Sequence, residues 1–140
     1  GGDDISIRRS GAGGLLFGDI GNGQELGLKV LTELTTIAVA AFTDTTIQIP
    51  ADAIVIAVSV RVTVVIPTAA TFDVGVAGAT TRYATGVAVA AGTTNKGTAD
   101  GLRYYAAAAS VRITPDLPPL ANSGRVRVTI HSLDITAATS

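Results

Sequence analysis

The 140 residues contain no cysteine and no methionine. Without cysteine there is no disulfide, no thiolate metal site and no sulfur nucleophile. Aromatic residues are 4% of the chain, too few to interleave with basic residues as stacking platforms for nucleic-acid bases. Charged residues are 15%, against roughly 25% in ordinary soluble domains. The net charge of −1 gives no field that draws nucleic acid or an anionic membrane. No apolar run approaches the roughly 20 residues a membrane-spanning helix needs. A domain that is 47% hydrophobic with so little charge is expected to have part of its surface covered by protein. With no initiating methionine and with Gly1-Gly2 at its start, the chain reads as a piece of something longer.

What the chain does have is β-branched residues in short alternating runs, which suit a pleated surface. Strands are expected near 36–42, 45–49, 53–66, 71–76, 86–90, 110–114 and 125–135. Loops carrying Pro50, Pro67, Gly78, "AGTTNKGTADG" and "PDLPPLANSG" separate them. The segment "LRYYAAAA" (102–109) is expected to be extended or irregular, with a single helical turn as the alternative. Residues 1–34 are glycine-rich. Their two short alternating pieces, around Ile5–Ile7 and Leu15–Phe17, cannot stand alone in water. Turn chemistry lies at Asp19 and at Gly21, Asn22 and Gly23. The expectation is an all-β protein: an antiparallel, jelly-roll-like β-sandwich over 35–140, preceded by a short Gly-rich β arm or neck over 1–34.

The run "AIVIAVSVRVTVVIP" (53–67) is long for a strand and is expected to bend or bulge. Its even-numbered residues are assigned to the interior. Its odd-numbered face would be sticky on a monomer, and a symmetric oligomer is the economical cover. Val55, Ser59, Arg61, Thr63 and Val65, with Arg125 and Arg127 from the last strand, are therefore candidate interface residues. Arginines outnumber lysines eight to two, and arginine suits interfaces because its planar fork pairs with carboxylates.

Little points to catalysis. His131 is the single histidine, and Ser132 and Asp134 are close only in sequence; no "GxSxG" elbow exists. Asp44, Asp52, Asp73, Asp100 and Asp116 are scattered at strand ends and loops, with no facing pair for sugar hydrolysis. "TTNKGTADG" has one carboxylate, a poor calcium loop, and "GAGG" at 11–14 lacks the strand-to-helix context of a phosphate loop. No enzyme activity, cofactor or metal is expected. Phe42 and Phe72 are expected in the core. Tyrosines beside arginines in loops suit sugar contact, which makes Arg82, Tyr83, Asn95, Lys96, Arg103 and Tyr104 the glycan candidates.

Four segments carry a family resemblance: "IPADAIVIAVSVRV", "FDVG" at 72–75, "RYATGVAVAAGTTN" at 82–95 and "GRVRVTIH" at 124–131. Over about residues 44–136 the pattern resembles the C-terminal domain of bacteriophage tail-fibre and tailspike proteins. The resemblance implies a virion structural module in the phage tail. It would be a homotrimer at a fibre tip that meets other virion proteins and touches a bacterial surface polysaccharide. Two other roles fit the same features: a capsid decoration (cement) protein using its N-terminal segment as an arm, and a stand-alone carbohydrate-binding module.

Overall fold

The structure is a computed structural model that describes residues 5–9, 14–19 and 24–136. The expected turn residues Gly21, Asn22 and Gly23, and Gly11–Gly13 of "GAGG", lie outside the described residues, as do Gly1 and Gly2. Eleven strands follow one another, with no helix among the described residues: β1 (Ile5–Arg9), β2 (Gly14–Asp19), β3 (Gln24–Thr36), β4 (Thr43–Ile49), β5 (Ala53–Val64), β6 (Thr71–Val76), β7 (Ala79–Ala88), β8 (Thr94–Asn95), β9 (Arg103–Tyr105), β10 (Ala109–Pro115) and β11 (Arg125–Thr136).

Two antiparallel sheets form. One runs β1-β2-β3-β11-β5-β8, with β9 also on β5; the other runs β4-β10-β6-β7. β8 and β9 pair different stretches of the same β5 edge, so together they act as one interrupted strand. From β3 onward the order β3-β11-β5-(β8/β9) against β4-β10-β6-β7 is that of an eight-stranded jelly roll. The expected antiparallel, jelly-roll-like sandwich is the fold observed. β1 and β2 lengthen its first sheet beyond the β3 edge.

The core lies between the sheets. Val58, Val62, Val126, Val128 and Ile130 meet Phe72, Val74, Val111 and Ile113, all fully buried. β11 pairs with β3 over its whole length and with β5 over nearly as much. The strand with the alternating apolar pattern is thus the centre of the sheet, as period-2 burial requires.

Four differences from the sequence reading have physical causes. First, the boundary expected after residue 34 falls inside β3. Second, β5 does not hold one parity. Opposite β11 its register slips between Val55 and Ala57, and again between Val62 and Val64. Each slip is a bulge that turns the following side chains over. Ala53 and Val55 therefore point inward before Ile56, and Val58, Val60 and Val62 after it. Val55, expected at the oligomer interface, is fully buried core. Third, the strand expected at 36–42 ends at Thr36, and residues 37–42 form the loop into β4, with Ile37 alone buried there. Fourth, Phe42 is exposed rather than core. Its ring lies 3.5 Å beneath the Arg112 guanidinium, which pairs bidentately with Asp44 at 2.7 Å on both oxygens.

Candidate functional site

Residues directly opposite on neighbouring strands share a face. On the first sheet, the face turned away from the core can therefore be read off the register row by row. One row crosses six strands: Arg9, Leu15, Leu28, Leu133, Ile54 and Tyr104. Beside it stand Ile7, Phe17, Leu26 and Ile135. On the other side come Val30, His131 and Ala57, then Thr32, Thr129 and Ser59, then Leu34, Arg127, Arg61 and Thr94. One half of the face is apolar, a band of hydroxyls follows, and the far end is basic.

The apolar half is uncovered. Ile7, Leu26, Leu28, Val30 and Ile135 are 39% to 67% exposed. With strands about 4.8 Å apart, the row of six strand positions spans roughly 24 Å, and the rows toward the basic end cross three or four strands. The apolar residues are contiguous across β1, β2, β3 and β11, unlike the scattered apolar exposure of a monomer. The residues expected at an interface are placed on this face only in part. Ser59, Arg61, Arg125 and Arg127 lie on it. Thr63 is the extra residue of the second bulge, its hydroxyl donating to the Arg125 carbonyl at 3.2 Å. Val65 lies just past β5 and is half exposed. The apolar half, from β1, β2 and β3 with Leu133 and Ile135 of β11 and Ile54 of β5, was not among the candidates. Its signal was the alternation Leu26, Leu28, Val30 within "QELGLKVLTELTT".

The polar band is tied across the strands. Thr32 and Thr129 hydroxyls meet at 3.2 Å, and Ser59 Oγ lies 3.0 Å from His131 Nε2. Ser132 faces the other way and is buried, and no carboxylate stands behind His131 among the described residues. The loop carboxylates are engaged elsewhere. Asp44 holds Arg112, Asp52 accepts from Tyr104, and Asp73 accepts from Thr85 and the Gly86 amide. Asp100 pairs with Arg82 and Arg103, and Asp116 accepts from the Ala70 and Leu117 amides. Among the described residues no cluster of three or more His, Asp or Glu could hold a metal ion.

The six glycan candidates do not converge. Arg82, Arg103 and Tyr104 border an open groove of about 560 Å³ at one end of the sandwich, floored by Ala106–Ala109. Asn95 and Lys96 line a separate pocket on the outer face. Tyr83 is not a surface residue at all. It lies inward on β7, 1% exposed, with its hydroxyl 2.6 Å from that of Tyr105. Arg82 Nη1 donates to Tyr105 at 3.2 Å, and this hydrogen bond raises the arginine's pKa. The hydrogen bond to Asp52 likewise raises that of Tyr104.

Burial, then the hydrogen bond to Tyr105, pushes the Tyr83 hydroxyl far above its ordinary value of 10.0. The folded chain therefore keeps a proton that the unfolded chain loses near pH 10. This contribution to stability is complete below that pH and declines as pH rises above it. Denaturant unfolding measured from pH 8 to 11.5 is expected to show the loss steepening above pH 10. Tyr83→Phe removes a component approaching about 1.4 kcal/mol per pH unit. Equal slopes for the two proteins would refute the assignment.

No protein-family model matches the sequence, and no curated protein does. Among solved structures, a chain of the Cyanophage Pam1 capsid asymmetric unit is similar. The TM-score is 0.52 at 22% identity, over 94% of this chain and 93% of that one. At that identity the likeness speaks for the fold. Its span exceeds β3–β11, and neither chain carries a large part that the other lacks.

Proposed function

We propose that this chain is a structural protein of a bacteriophage particle, a decoration jelly roll that sits on the capsid shell. The observation that carries this reading is the end-to-end similarity, arm included, to a chain of a phage capsid. The uncovered outer face of the long sheet supports it, because a shell protein buries such a face against neighbours. Low charge in the sequence points the same way. The β1–β2 extension widens the docking face from four strand positions to six, which gives the arm a physical purpose.

The tail-fibre or tailspike tip is the competing reading, with three copies around an axis and a sugar bound for host attachment. The same sheet face would serve a trimer. Attachment would also need a sugar site, and in the end groove the Arg82 and Arg103 guanidiniums are already paired with Asp100. Decoration is favoured on that ground.

Electron microscopy of intact particles carrying a labelled copy of this chain separates the two. Label over the head surface is the expected result. Label confined to the tail would overturn the decoration reading and restore the fibre tip.

A further inference from the structure

At the basic end of the outer face, Arg127 on β11, Arg61 on β5 and Thr94 on β8 stand abreast. Thr129 and Ser59 form the next row. These residues, with Asn95 and Lys96, line a pocket of about 240 Å³. Arginines directly opposite on adjacent strands repel, and the arrangement persists only at some cost in stability. Four of the other five arginines are compensated: Arg8 pairs with Glu25, Arg82 and Arg103 with Asp100, and Arg112 with Asp44. Arg61, Arg125 and Arg127 have no carboxylate within ion-pair distance among the described residues. The uncompensated pair thus stands at the rim of the uncovered face.

We infer that this pocket is an oxyanion site that receives a carboxylate from a protein docked on the face. Two guanidinium forks and the Lys96 ammonium supply charge, and the hydroxyls of Thr94, Thr129 and Ser59 supply short neutral donors. Ser59 suits the task because of its neighbour. When His131 donates through Nε2 to Ser59 Oγ, the serine proton is free to turn to the anion. Asn95 shapes the rim, its side-chain oxygen accepting from the Gly97 amide at 2.8 Å. The inference rests on side-chain chemistry and not on the capsid assignment, so either can fail without the other.

Inorganic sulfate is the probe, titrated into the isolated protein with chloride holding ionic strength constant. Saturating amide shifts confined to Arg61, Thr94, Asn95, Lys96 and Arg127 are expected. Arg61→Ala/Arg127→Ala is expected to weaken binding at least tenfold, and Lys96→Ala less. All three side chains are exposed, so the variants stay folded, and relief of the arginine repulsion leaves the double variant melting at or above the wild-type temperature. Shifts that never saturate, or that persist unchanged in the double variant, would overturn the site. Molecular mass measured alongside identifies the carboxylate's source. Sulfate that separates associated copies assigns it to a second copy of this chain. A protein that is a monomer before and throughout the titration rules out a second copy and assigns the carboxylate to a different protein.

Discussion

Gly97→Ala is expected to lower the melting temperature by about 10 °C, corresponding to about 3 kcal/mol at this chain length. Two effects add. Gly97 has a φ of +65°, where an L-residue costs about 1 kcal/mol. An added Cβ would also lie 1.7 Å from the Val58 carbonyl oxygen, backbone that cannot step aside. The loop after β8 must then lift off β5. It gives up the Val58 amide bond to the Gly97 carbonyl at 3.1 Å and the Gly97 amide bond to Asn95, each worth about 1 kcal/mol. Gly92→Ala is the control. Its φ is +92° but nothing lies within 4 Å of the new Cβ, so it carries the conformational cost alone. Melting temperatures within about 3 °C of each other would refute the close-approach argument. Lifting the loop also moves Lys96, so Gly97→Ala is expected to weaken sulfate binding although Gly97 touches no anion.

Why Gly97 matters could not be read from "TTNKGTADG", because the carbonyl it meets is some 40 residues away in the chain. The same limit explains the other misreadings. Alternation at 53–66 and 125–135 was legible because a buried face leaves a period-2 trace, and it sufficed for the jelly-roll sandwich. The bulges in β5 left no local sign. No glycine or proline marks them, and they arise from matching β5 to the register of β11. Val55 was therefore placed on the wrong side. β3 was missed for a different reason. Its Leu, Lys and Glu are poor strand signals, and its apolar parity points outward while Glu33 points inward. Glu33 is accommodated because Oε2 accepts the Ile47 amide at 2.7 Å and Oε1 the Thr35 hydroxyl at 3.0 Å. Tyr83 was mistaken for surface because an Arg-Tyr pair reads alike in a loop or a strand. On β7 the two point in opposite directions, and only the arginine reaches the rim.

The outer face yields the second large effect. Leu28→Glu/Ile135→Glu places two charges within the apolar half, at side chains 39% and 56% exposed in the lone chain. Neither is in the core, so the isolated variant is expected to melt within about 3 °C of wild type. They are diagonal rather than directly opposite, since Leu28 faces Leu133 and Ile135 faces Leu26, so the new carboxylates meet at the wider spacing where repulsion in water is small. Docking is another matter. Burying each apolar side chain contributes about 1–2 kcal/mol, and burying an unpaired carboxylate in its place costs more than is lost. Affinity for whatever covers the face is expected to fall at least 100-fold, about 3 kcal/mol. Sedimentation of the variant alone and binding to particles stripped of this chain read it out. Undiminished binding by a well-folded variant would mean that this face is not the docking surface the proposed capsid role requires. The arm would then have no docking role, and the arginine pair would need its counter-charge from solvent ions.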